Sequence, residues 1–254
     1  MRLACLFSGG KDSTYAVHLA KNAGHEIVFL VAMKPQNKES FLFHVPNIEW
    51  TKLQAQAMDI PLVMVNTSGK KTQEMKDLQN ALRELKEKTK IQGLVTGAVA
   101  STYQASRIQK ICFELDLYCF NPLWQTSPVA HWHELLLNRF EIILSSVAAQ
   151  GLDKSWLGRK IDENALQELM VLEKKHGLSS IGEGGEFESF VCDAPLFQKK
   201  IQITKFKDEW KGLQGTRHIL RAELVEKHVK KEKRAEKTMK KTTKKVKKGR
   251  GKRK

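Results

Sequence analysis

Leu3-Ala4-Cys5-Leu6-Phe7-Ser8-Gly9-Gly10-Lys11-Asp12-Ser13 opens the chain and decides how the rest is read. The apolar run at 3–7 suits a buried strand, and a helical pattern runs from about residue 12 to 23. Between them the chain turns through Ser8, Gly9 and Gly10. Glycines let backbone N–H groups come close to an anion, and a helix N-terminus adds unpaired donors and a positive dipole end. Lys11 supplies a point charge, and the hydroxyls of Ser8 and Ser13 can donate to phosphate oxygens. The stretch is built as a phosphate cradle, without the G-x-x-x-x-G-K-[ST] spacing of a Walker A loop. The alternative is a plain strand-to-helix turn with a Ser or Asp cap.

Outward from this loop, β-rich runs at 26–32, 62–65, 93–96 and 117–120 alternate with helical patterns at 48–58, 72–88 and 103–115. Ile108, Ile111, Cys112 and Leu115 fall at helical spacing. Such alternation predicts an α/β fold with a parallel sheet and helices on both faces. The pattern changes after Pro122. A helix near 131–139 and a strand at 141–147 follow. Asp162 is placed to cap a helix running to 176. After a Gly-rich loop at 182–186, the remaining strand-like runs are 201–206 and 218–225. The expected division is a nucleotide-binding domain over 1–125, a smaller α+β domain over 126–227 and a Lys-rich disordered tail over 228–254.

The formal charge is +16 over 254 residues, and it is unevenly placed. The tail holds 15 Lys or Arg against 2 Glu, which leaves 29 basic and 26 acidic residues in 1–227. The body is therefore nearly balanced, and the basicity belongs to the tail. None of the 4 cysteines forms a C-x-x-C pair, which argues against a disulfide framework, a zinc knuckle or a cysteine-bound cluster. No apolar run is long enough for a membrane span, and the run at 3–7 is too short for a signal peptide. The expectation is a soluble, cytoplasmic protein with no membrane partner. His131 and His133 are close in sequence but lack a convincing third ligand and are read as non-metal.

Ser8-Gly9-Gly10-Lys11-Asp12-Ser13 after a first strand resembles the loop of the N-type ATP pyrophosphatases, which have the HUP or PP-loop fold. Several branches share that loop. Three further stretches narrow the choice: Gly97 through Arg107 at the end of the fourth strand; Pro122-Leu123-Trp124; and Gly182-Glu183-Gly184-Gly185-Glu186-Phe187-Glu188-Ser189 followed by Asp193-Ala194-Pro195-Leu196-Phe197. Together they resemble the diphthine–ammonia ligase family over about residues 1–226. Phe187 and Ser189 stand where that family usually carries Tyr and Thr.

The resemblance implies ATP as cosubstrate with Mg²⁺, and a nucleotide site at Ser8, Gly9, Gly10, Lys11, Asp12, Ser13, Ala32, His44 and Gly97. It implies catalytic roles for Lys11, Asp12, Arg107, Glu183 and Glu186, with Asp12 also the first candidate to hold the metal. The acceptor side would be Tyr103, Gln104, Arg107, Glu183, Glu186 and Glu188. Read from the residues alone, Arg107 is equally a solvent-exposed helix arginine, Asp193 a turn former before Pro195, and His44 a loop histidine. The implied partner is diphthine-bearing elongation factor 2. The implied reaction joins ammonium to diphthine through an acyl-adenylate, giving diphthamide, AMP and pyrophosphate. No Gly-x-Cys-x-Gly elbow or N-terminal catalytic Cys suggests a glutaminase, so free ammonium is the expected nitrogen source. The tail could tether the protein to a ribosome or RNA. Two rivals stay open: a tRNA-modifying enzyme that adenylates a base, and a non-catalytic nucleotide-binding module.

Overall fold

A computed structural model describes residues 1–36, 46–68 and 71–227. His44 and the tail at 228–254 lie outside them, so the expectations placed there are not met by a structure. The first half forms a parallel sheet of strands β1 (Arg2–Leu6), β2 (Glu26–Pro35), β3 (Leu62–Thr67), β4 (Gly93–Val95) and β5 (Tyr118–Phe120), ordered β3-β2-β1-β4-β5. Helices α1 (Lys11–Asn22), α2 (Thr51–Met58), α3 (Lys71–Thr89) and α4 (Thr102–Glu114) connect them. The strand order reverses between β1 and β4. In open α/β sheets such a reversal leaves a crevice beyond the carboxyl ends of the two strands, and ligands bind there. The loop at 8–13 and the segment at 97–101 both leave the sheet at that crevice.

The second half begins with α5 (Pro128–Leu137), where Pro at the first turn costs no hydrogen bond because that N–H would be orphaned anyway. Strands β6 (Glu141–Val147), β7 (Phe187–Asp193), β8 (Lys200–Lys211) and β9 (Gln214–Val225) form an antiparallel sheet ordered β7-β6-β9-β8. Helix α6 (Glu163–His176) is capped by Asp162, whose Oδ1 accepts from the Ala165 N–H at 2.9 Å. The largest departure from the sequence reading is β7. The Gly-rich motif points to a loop here, yet Phe187–Asp193 forms a strand that pairs with β6 with two irregularities of register. Glu188 therefore sits on a strand that follows the Gly-rich loop.

The two sheets share one apolar core. Leu3, Phe7 and Tyr15 from the first half pack in the same cluster as Trp132, Leu135, Ile142, Phe187 and Val191 from the second. A smaller cluster under α3 and α4 joins Val31, Leu78 and Leu82 to Ile108, Ile111 and Cys112, the face that the helical spacing of α4 presents. Polar bonds add to the join. Trp50 Nε1 donates to the Ile219 carbonyl at 2.9 Å, and the Ile219 N–H donates to Asn47 Oδ1 at 2.8 Å.

Candidate active site

The loop at 8–13 is held from inside and from outside. Within it, the Ser8 N–H donates to Ser13 Oγ at 3.2 Å, and the hydroxyls of Ser13 and Thr14 donate to the Gly10 carbonyl at 3.2 and 2.8 Å. Gly9 has φ +80°, a left-handed conformation that favours glycine, and a Cβ there would lie 2.2 Å from Gln54 Oε1. From outside, strand β7 lies against the loop. The Val191 N–H donates to the Gly9 carbonyl at 3.1 Å, and the Lys11 N–H donates to Ser189 Oγ at 3.1 Å. Gln54 Nε2 bridges both sides, donating to the carbonyls of Gly9 and Val191 at 2.8 and 2.9 Å. Gly97 closes the far side, since a Cβ there would lie 2.7 Å from the Ser13 nitrogen. Gly10, at the start of α1, has no side-chain cap, so the first turn keeps donors for an anion.

Lys11 is the charged centre. Its side chain is buried, with Nζ 2.8 Å from Asp12 Oδ2 and 5.6 Å from the ring centroids of both Trp132 and Phe187. Asp12 Oδ1 accepts from His131 Nε2 at 2.7 Å. Burial alone would raise the Asp12 carboxyl, but Lys11 and His131 outweigh it and hold the carboxyl below its ordinary range. Glu188 faces the same charges. Burial pushes its carboxyl up to about 7, with Lys11 opposing and Asp12 adding to the shift.

The other expected residues separate. Glu183 Oε2 accepts from the Ala100 N–H at 3.3 Å, which ties the Gly-rich loop to the segment beyond β4. The Glu186 carboxylate accepts from the N–H groups of Ser179 and Gly184 at 2.9 and 2.8 Å, so it organises its own loop. Arg107 donates to the Tyr103 carbonyl at 3.1 Å and stacks on the Tyr103 ring, with its guanidinium carbon 3.4 Å from the centroid. That guanidinium is engaged on its own turn of α4, and Gln104 is exposed beside it. Ala32 is buried in β2, opposite Met64 of β3. Asp193 accepts from the Ala194 N–H at 2.8 Å and from Lys227 Nζ at 2.6 Å, which supports its reading as a turn former.

Three contributors were not read from sequence. Gln54, Ser189 and His131 touch the loop or its charges from positions 45, 178 and 119 residues away from their partners. Ser189 stands in the stretch at 182–189 that carries the family resemblance, whereas Gln54 has no signal in the sequence and His131 only the neighbouring tryptophan.

Residues 1–119 match the model of the diphthamide synthase N-terminal domain, and residues 128–225 match that of the diphthamide synthase C-terminal domain. The chain belongs to the diphthine–ammonia ligase family. The bovine diphthine–ammonia ligase is 35% identical over 222 residues, covering 80% of this chain and 83% of that protein. The human one is 34% identical over the same shares. The Schizosaccharomyces pombe ligase is 32% identical over 80% of this chain but only 36% of its own length, so a ligase domain of this size also occurs inside a longer protein. A solved Methanocaldococcus jannaschii structure, titled as a predicted subunit of tRNA methyltransferase, overlaps at 16% identity and a TM-score of 0.41. Among the described residues of this family member, no helix is long and apolar enough to cross a membrane.

Proposed function

We propose that this chain amidates the diphthine carboxylate of elongation factor 2, using ATP and free ammonium and releasing diphthamide, AMP and pyrophosphate. Family membership supports the ATP-dependent amidation. The observation that carries the site is the buried Lys11 beside the uncapped start of α1, at the strand-order reversal between β1 and β4. A carboxylate is a poor electrophile; attack of its oxygen on the ATP α-phosphate, breaking the bond to the β-phosphate and releasing pyrophosphate, gives an acyl-adenylate whose AMP is a good leaving group. Lys11 and the backbone donors of the α1 first turn stabilise the charge that builds on the departing pyrophosphate. Glu188, whose carboxyl is pushed up to about 7, can exchange a proton near neutral pH. That suits a site where ammonium must lose a proton before nitrogen attacks the acyl carbon.

Mg²⁺ is the usual companion of ATP phosphates. Asp12 was its first candidate ligand, but both Asp12 oxygens are engaged, one by Lys11 and one by His131. Among the described residues no three His, Cys, Asp or Glu side chains group to hold a metal. The two sheets divide the work: the parallel sheet of the first half presents the phosphate loop, and the antiparallel sheet of the second half walls it through β7 and α5.

The test combines the purified protein with ATP, ammonium and diphthine-bearing factor. AMP should accumulate, and the factor should lose the small mass that distinguishes OH from NH₂. The variant Lys11→Met should lower kcat/KM by about 100-fold or more, as loss of a charge-stabilising group at the reacting phosphates does. Turnover with glutamine equal to that with ammonium would overturn the nitrogen assignment. AMP formation on a tRNA and none on the factor would favour the base-adenylating reading.

A further inference from the structure

We infer that His131 is a positioning residue for the pyrophosphate loop, acting on Lys11 through the Asp12 carboxylate. The inference rests on the reading that this loop holds the pyrophosphate part of ATP. His131 comes from α5, in the second half of the chain, and its imidazole is fully buried. One ring nitrogen, Nδ1, has no hydrogen-bond partner among the described residues. A buried polar atom left unpaired is destabilising, and an aliphatic side chain at the same place would avoid that cost. The ring is therefore a poor filler, and what distinguishes it is the bond made by the other nitrogen.

That bond is short and directed. His131 Nε2 donates to Asp12 Oδ1 at 2.7 Å, while Lys11 Nζ donates to Asp12 Oδ2 at 2.8 Å. One donor on each oxygen fixes the plane of the carboxylate. Removing the donor on Oδ1 frees the carboxylate to turn about its last side-chain bond and to meet the Lys11 ammonium with either oxygen. The ring itself cannot drift, because Tyr15 packs against it at 5.5 Å between centroids, and the Tyr15 hydroxyl donates to Glu134 at 3.3 Å, one turn further along α5. The neighbouring Trp132 is also fully buried, with its Nε1 donating to the Ser180 carbonyl at 2.7 Å, and its ring forms part of the wall around Lys11. Helix α5 thus supplies one side of the Lys11 pocket and, through Asp12, the direction in which its ammonium points.

The experiment measures binding of ATP, inorganic pyrophosphate and AMP by calorimetry to the full-length protein and to His131→Leu and His131→Gln. Gln can keep a donor near the Nε2 position, whereas Leu cannot. His131→Leu should weaken ATP and pyrophosphate binding about tenfold and leave AMP within about twofold, because AMP lacks the β- and γ-phosphates. His131→Gln should stay within about threefold of wild type for all three ligands. Equal losses for ATP and AMP, no loss in His131→Leu, or a loss in His131→Gln as large as in His131→Leu would each overturn the inference. If His131→Leu does not fold, His131→Met, which equally lacks a donor to Asp12, takes its place with the same expected losses. A wild-type protein that binds neither ATP nor pyrophosphate would instead overturn the reading of the loop itself.

Discussion

Lys11 is a lysine drawn almost wholly out of water, and every group around it answers that fact. Asp12 is its ion-pair partner, two aromatic faces replace its hydration, and Glu188 meets it from the opposite sheet. Glu188 bears the cost of this arrangement. In the unfolded chain its carboxyl ionises near 4.5, whereas in the native state it ionises near 7. The native state is thus not penalised below about pH 4.5, loses stability as pH rises toward 7, and carries the full penalty above it. Glu188→Gln removes the penalty. Its stability advantage over wild type in urea unfolding should be near zero at pH 4, grow as pH rises toward 7 and level off above it at roughly 3 kcal/mol. A difference that does not change with pH would count against the burial of this charge. At this scale the sequence showed the local chemistry. Ser8 through Ser13 are consecutive and could be read as a loop, but the donor to Asp12 comes from His131, 119 residues away, and no spacing rule reaches that far.

Among the elements, the close meetings are between the ends of strands and the starts of helices. Gly97 follows β4 and lies against the first turn of α1, so Gly97→Ala must push a methyl group into backbone at 2.7 Å. Overpacking of this kind costs about 1–3 kcal/mol, and here it also shifts the phosphate-binding turn. Both melting temperature and ATP affinity should fall in Gly97→Ala, which differential scanning and calorimetry would read. Asp162→Ala offers the contrast. It removes the α6 cap far from Lys11 and should cost about 1 kcal/mol, a fall of roughly 2–4 °C, with kcat/KM unchanged. The cap was legible because Asp162 precedes its helix directly, and β6 was legible because its apolar run is bounded. β7 was not. Its residues follow a Gly-rich motif whose chemistry drew the reading toward a loop, and its partner strand lies more than 40 residues upstream. The β8–β9 hairpin also runs longer than its apolar runs suggested, because main-chain pairing continues through exposed, charged positions from Lys207 to Lys211.

The whole molecule is organised around one core that draws on both sheets. The alternation of strands and helices was enough to predict the parallel sheet. The shared core was not predictable, because burial of Phe7 against the second half depends on how two separately patterned regions meet. Charge is distributed on another principle. Deleting 228–254 removes 15 basic residues and 2 Glu and leaves a nearly balanced body. The truncated protein should amidate isolated elongation factor 2 at close to the full-length rate and should lose salt-sensitive binding to RNA. Filter binding over a salt series would measure the second effect. Loss of amidation with the tail would mean that residues 228–254 take part in the reaction.

The clamp of β7 on the loop has a consequence for the order in which the protein comes into being. Synthesis runs from the N-terminus, so the phosphate motif is made before its clamp: Ser189 and Val191, which grip it, follow some 180 residues later. A nascent chain that has completed β5 carries the entire motif and the whole parallel sheet, yet lacks the far wall of its pocket and the histidine above Asp12. The loop is therefore fully walled only once β7 has been made, and a product cut off after β5 would possess the signature without its clamp.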